Sequence, residues 1–498
     1  MPTAPPNERE LDAYRERADR FVAALDEEYY LHYGGLKDRL ELERIYDEFE
    51  DLTRLEQAQA IGLAVNGGRR IRELWRFACE GYLGALTREE TEKSAELEAT
   101  LKAELDGEEI PFRMIRPVLA NTEDRDKRRR LEEIRNELTE EHLNPLLLES
   151  VETARREVEK LGAPTYTELY RRFGYELDGL AEQCRAFLDS TEQLWERAGN
   201  AFFRARAGIR LDEAERWDVS RIFRGIGWDS AFPAERMVPA LESSLADLGI
   251  DLRAQRNVEL DLEDRPNKTP RAFCVPIEVP DRVVLVIKPQ GGPDDWRALF
   301  HEAGHTEHFA HTSSSLSVEE RRLGDNAVTE GWAMLIEHLT IDPVWLTRRL
   351  DFPRPGPYAA EGAAQLLWLV RRYCAKLIYE IEFHAAPDVT AMRSRYAELL
   401  TDATKVRYTD TDYLADMDAS FYSSEYLRAW AFEAQLRAYL RETFGNDWFA
   451  KKQAGSLLRE LWSEGQRPTA DELLQDVAGQ SLELDAVADR IREALALA

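Results

Sequence analysis

RAFCVPIEVPDRVVLVIKPQGGPDDWRALFHEAGH, residues 271–305, holds the one abrupt change of character in the chain. From Arg271 to Lys288 the β-branched residues cluster, and Pro276, Pro280 and Asp281 are turn formers. That pattern predicts a short hairpin or small sheet. Pro289 to Pro293, with Gly291 and Gly292 inside it, reads as a sharp turn, and Asp294 is placed to cap a helix that follows. The strand Val283 to Ile287 has two readings at this point. It is either an ordinary buried strand or one that pairs with an extended peptide through its backbone.

Outward from this stretch the chain reads at helical period. Leu131, Ile134 and Leu138 recur at spacings of three and four among Arg and Glu, which is an amphipathic stripe with a solvated opposite face. Asn144-Pro145 should end or bend that helix. Leu161 to Pro164 is a second break, after which Thr165 and Thr167 can cap a helix through Glu168 to Phe173. Arg128, Arg129 and Arg130 read as a solvated helix face. The class expected is mainly α, with the small sheet placed before one functional helix. At 498 residues the chain exceeds the usual ~100–200 of one core, so two lobes or one large body are expected. We expect an N-terminal helical lobe over residues 1–200 and a second over 201–498, interdigitated.

Composition narrows the function classes. A net charge of −29 repels a phosphate backbone, and no basic patch offsets it, so nucleic acid is an unlikely partner class. The four cysteines, Cys79, Cys184, Cys274 and Cys374, lie far apart with no CxxC pair, which fits a reducing compartment and neither a disulfide scaffold nor a cysteine zinc site. No signal-like segment opens the sequence, and uninterrupted apolar runs are far shorter than the ~20 residues that cross a bilayer. The expectation is a cytoplasmic protein without membrane partners.

The helix after the turn contains His301-Glu302-Ala303-Gly304-His305. Residues i and i+4 share a helix face, so both imidazoles can reach one metal ion, while Glu302 is swung off that axis toward its water. Catalytic zinc wants a third protein ligand and an open position. Glu330, 25 residues after His305, is the candidate, in a second predicted helix from Asp325 to Ile336. An antiparallel helix pair joined by the polar loop His311 to Ser317 would bring it to the histidines. His308 shares their face, but three ligands from one straight helix splay by about 10 Å, so it is read as a pocket or supporting group, with a plain packing role equally open. Asp325 and Glu337 are candidates to hold the imidazole tautomers, with ordinary helix-surface roles equally open. His311, His338 and His384 read as surface or satisfied core histidines.

HEAGH with a glutamate 25 residues on resembles the thimet oligopeptidase and oligoendopeptidase F family of zinc metallopeptidases and, more distantly, angiotensin-converting enzyme and its relatives. Gly162 to Leu169 is similar to a glycine–tyrosine–glutamate–leucine segment of that family, and Trp217-Asp218 looks like its tryptophan–aspartate element. The resemblance covers roughly residues 150–440 and is strong from Arg271 to Leu339. It implies a two-lobed helical body divided by a deep channel that admits peptides. It implies a single Zn2+ on His301, His305 and Glu330, with Glu302 as general base. It also implies tyrosines that donate to the oxyanion, and Tyr422 and Tyr426 are the matching pair, with core packing the other reading of both. The chain departs from the family in having no histidine before these tyrosines and no glycine-rich loop there. The expected activity is hydrolysis of short peptides. The rival readings are a non-catalytic helical binding protein with a structural zinc, and a zinc hydrolase of some non-peptide amide.

Overall fold

A computed structural model describes residues 4–269 and 271–496. Helices make up 71% of it and the sheets are small, so the mainly α class holds. The elements that position the site are α1 (Glu8–Tyr33), β1 (Val258–Asp261), β2 (Phe273–Glu278), β3 (Arg282–Val286), α2 (Pro293–His311), α3 (Asn326–Glu337), α4 (Tyr422–Phe444), α5 (Lys452–Ser463), α6 (Ala470–Ala478) and α7 (Asp485–Leu495). Among the described residues no helix is long and apolar enough to cross a membrane.

The chain forms two compact units, each assembled from separated stretches. The first takes residues up to 78, 226–362 and those from 425 on, and the second takes 79–225 and 363–424. A single cut at residue 200 therefore does not separate them.

In the first unit the hairpin read from residues 271–288 is present as β2 and β3, which pair antiparallel. A further strand, β1, lies parallel to β3, giving the order β1-β3-β2. β3 is thus central, and Val283, Val284, Leu285 and Val286 are at most 1% exposed. An apolar run is what a strand covered on both faces requires. This corrects one reading: Val283 to Ile287 is a buried strand with both backbone edges taken, and it has none to offer a peptide. The sheet's edges belong to β1 and β2, and α1 packs against β2.

The turn after β3 depends on its glycines. Gly291 and Gly292 have φ of 86° and 88°, and a Cβ on Gly291 would fall 2.9 Å from the Ala234 nitrogen. Gly292 occupies the N-cap of α2 with Pro293 just inside, where a missing N–H costs nothing. Asp294 is not the cap. Its neighbour Asp295 folds back to accept from the N–H groups of Gln290 and Gly291 at 2.6 and 2.9 Å.

α2 and α3 then pack as an antiparallel pair, and small residues set how closely. A Cβ on Gly304 would come within 2.5 Å of the Ala333 Cα, so only glycine permits this approach. Gly331 does the same for α4, since a Cβ there would meet the Phe432 ring at 2.3 Å. Trp296, Trp332, Trp345 and Trp462 fill the space around the pair and are fully buried. Their large apolar area supplies much of the drive for packing it.

The second unit contains a hairpin, Lys102–Leu105 with Glu108–Pro111, closed by Asp106-Gly107 at φ 54° and 82°. Asp-Gly is the residue pair such a two-residue turn prefers. Leu131, Ile134 and Leu138 pack on this hairpin's core as their period required. The helix they sit on passes through one π-helical turn at Thr139–Leu143 into the helix Asn144–Glu157, so the interruption at Pro145 changes the winding without ending the rod. Thr165 caps Tyr166–Phe173 by accepting from the Glu168 N–H at 3.1 Å. Arg128 corrects the solvated-face reading. It is buried, bound to Asp218 at 2.8 Å, and lies over the Trp217 ring beside Arg125, while Arg129 and Arg130 pair with acids at the surface.

Candidate metal centre

Three donor atoms converge where α2 crosses α3. Ligand atoms of His301, His305 and Glu330 all lie within 4.8 Å of one another. The Nε2 atoms of His301 and His305 stand 3.4 and 3.7 Å from Glu330 Oε2. Donors about 2.1 Å from a shared tetrahedral centre are about 3.4 Å apart, so the spacing suits Zn2+ and leaves a fourth corner open. Two imidazoles and a carboxylate are a donor set found in catalytic zinc sites. The side chains of His301 and His305 retain 20% and 12% exposure against 6% for Glu330, so the imidazoles keep a narrow access to solvent and the carboxylate lies deeper.

The far nitrogen of each imidazole is tied down. His301 Nδ1 is 2.9 Å from Glu337 Oε2, and His305 Nδ1 is 2.9 Å from Thr329 Oγ1. With Nδ1 donating its proton to these oxygens, the neutral form of each imidazole would turn its Nε2 lone pair to the site. Glu337, one of the two acids proposed for this role, fills it. Asp325, the other, does not. It caps α3 by accepting from the Ala327 N–H at 3.0 Å and is gripped by Arg428 at 2.6 and 2.7 Å. Thr329 was not anticipated. Its one sequence signal is that it precedes Glu330, which on a helix turns it toward the neighbouring ligand.

The charges respond to this crowding. Burial alone would lower the pKa of His301, but Glu330 and Glu337 on either side hold it well above the usual imidazole value. Burial lowers His305 to about 4, favouring the neutral form that binds metal. Burial works to raise the Glu337 pKa, but the bond from His301 together with the charges of His338, His301 and Arg297 brings it down to about 2.

Glu302 stands off the ligand axis, and its Oε2 accepts from the Cys274 N–H of β2 at 2.9 Å. The free edge of the sheet therefore positions this carboxylate. That link joins the two halves of the 271–305 stretch and was also not anticipated. Burial raises the Glu302 pKa to about 7, where a carboxylate is an effective proton acceptor and donor near neutral pH.

The other candidates fall outside the donor group. His308 is fully buried with its ring against Phe309, and its pKa is pushed down to about 3 by desolvation. It is a neutral packing residue, which corrects the pocket reading. His311 donates to the Glu307 carbonyl at 2.9 Å, His338 sits between Arg490 and Glu433, and His384 in the second unit stacks on Tyr166.

Tyr422 and Tyr426 occupy the first turns of α4 and are half-buried. Glu425 accepts from the Ala327 N–H at 3.1 Å, so α4 is pinned to the start of the Glu330 helix by Glu425 and Arg428, one residue before and two after Tyr426. The Tyr426 ring rests on Trp430.

No protein-family model matches the chain, and no curated protein matches it.

Proposed function

We propose that the protein is a zinc-dependent peptidase that cleaves short peptides, with His301, His305 and Glu330 as ligands and Glu302 as general base. The observation that carries this reading is the convergence of those three donor atoms beside a carboxylate that a backbone N–H holds in place. A zinc ion on these ligands would supply Lewis-acid polarisation of the scissile carbonyl and an acidified water. Glu302 takes a proton as the water oxygen bonds to the carbonyl carbon, and returns it to the nitrogen as the C–N bond breaks. Glu337 and Thr329 keep both imidazoles oriented throughout. Tyr426 or Tyr422 donates to the oxyanion. We place the protein in the cytoplasm, in keeping with four cysteines none of which is paired.

The test is mass spectrometry of a mixed peptide library incubated with zinc-loaded and with chelator-treated protein. Cleavage confined to short peptides and abolished by the chelator is expected. Replacing Glu302 with Gln should leave zinc bound and lower turnover at least about a thousandfold, whereas Glu330→Ala should release the metal. Tight zinc binding with no hydrolysis of any peptide would favour a structural metal, and cleavage of simple amides alone would favour a non-peptide substrate.

A further inference from the structure

Two consecutive residues stand in the left-handed region immediately before Tyr422. Ser420 has φ 63° and Phe421 φ 52°, and neither is glycine. Among the described residues Asp106, Asp351 and Lys405 share that conformation, but each stands apart from the others, Asp106 in a hairpin turn and the other two at helix C-termini. There it closes an element and is ordinary. In a bulky aromatic such an outlier persists only where the surroundings over-determine it, and outliers of this kind gather where a side chain must be aimed.

The surroundings grip this turn from two sides. On the helix Pro355–Ala385, Lys376, Glu380 and His384 follow one another at spacings of four and so share a face. Lys376 Nζ pairs with Asp418 at 2.8 Å. Glu380, 1% exposed, accepts from the Asp418 N–H at 2.8 Å and from the Ser423 hydroxyl, one on each side of the turn. The His384 ring lies 5.3 Å from that of Phe421. On the helix Tyr166–Phe173, Tyr166 and Tyr170, again four apart, set their rings 5.9 and 5.3 Å from Phe421. Tyr166 donates to Tyr170 at 3.4 Å, which donates to Glu80 at 2.8 Å. All of these residues belong to the second unit, as does Tyr422. Tyr422 and Ser423 open α4, so fixing the turn fixes the direction in which the Tyr422 side chain leaves the backbone.

We propose that the Ser420-Phe421 turn is held in its strained form to aim the Tyr422 hydroxyl at the developing oxyanion, with Glu380 as the positioning residue that holds it. The inference rests on the metallopeptidase reading and deepens it, since it selects Tyr422 over Tyr426 as the donor.

Ser420→Gly tests the strain, because glycine adopts this φ without a Cβ penalty. The thermal midpoint should hold while kcat falls about tenfold or more, with KM and bound zinc unchanged; complete loss of an oxyanion donor costs about 10²–10³. Glu380→Gln keeps the shape, replaces one of the two acceptor oxygens by a donor, and should lower kcat in the same way. In a Tyr422→Phe background neither substitution should lower kcat further, because the group they aim is gone. Equal losses in both backgrounds, losses that vanish only with Tyr426→Phe, a kcat that falls only as zinc is lost, or an unchanged kcat in both variants each overturn the proposal. A fluorine resonance from fluorotyrosine in place of Tyr422 reads the aim without turnover. It should be single and sharp in otherwise wild-type protein and broadened or split in Ser420→Gly. That result from a protein that hydrolyses no peptide would sink the peptidase reading and leave the held turn standing. Hydrolysis with a kcat that ignores both substitutions would do the reverse.

Discussion

Two imidazoles on one helix are held by unlike partners, a carboxylate behind His301 and a hydroxyl behind His305. A carboxylate makes its imidazole the stronger donor, so the hydroxyl side is the more sensitive to loss of orientation. Thr329→Val keeps the shape and removes the acceptor. Zinc affinity should fall about 10- to 100-fold in a competition titration, with the circular dichroism of the fold kept. Thr329→Ser should recover most of it. HEAGH and Glu330 were legible because metal chemistry restricts which residue types can stand at those offsets. Thr329 was not, since a hydroxyl beside a ligand looks like any helical threonine until the facing helix is in place. Cys274 acts through its backbone, which no residue identity encodes.

At the level of elements, the crossing of α2 and α3 hinges on Gly304. Gly304→Ala forces a Cβ into the Ala333 backbone, so the helices must part. Overpacking of this kind costs about 1–3 kcal/mol. Zinc retention should fall with it, as read by metal analysis after dialysis. The start of α4 offers a second test. Asp325, Glu425 and Asp471 share Arg428, and burial together with Asp325 raises the Glu425 pKa above the ordinary range. An acid raised in the folded state adds stability while protonated. That contribution is whole below its unfolded value of about 4.5 and is lost as pH climbs through the raised one. Denaturation midpoints should therefore decline from mildly acidic to mildly alkaline buffer, and Glu425→Gln should flatten the decline. An equally steep slope in the variant would discount Glu425 as its source. The turn at Gly291-Gly292 and the hairpin β2-β3 could be read from their turn chemistry and β-branched residues. β1 could not, because four residues of Val-Glu-Leu-Asp become a strand only when β3 accepts them, and Asp294 caps nothing because Gly292 already starts the helix.

Across the whole molecule, all three proposed ligands and both side chains that orient them belong to the first unit. Zinc should protect amides in α2 and α3 from hydrogen exchange, as ligand binding stabilises the unit that holds it. The helix Leu177–Ala207 of the second unit should exchange alike with and without metal. Uniform protection over the chain would show that the units respond as one.

The first unit draws on stretches far apart along the sequence, residues up to 78, 226–362 and from 425 on. A ribosome that has passed residue 362 has made every donor, yet the segment bearing Phe432 and Trp462, which wedge the donor helices together, has not emerged. Metal capture during translation would then meet an unbraced cradle, and durable loading becomes a step that waits for residues 425–463 to emerge.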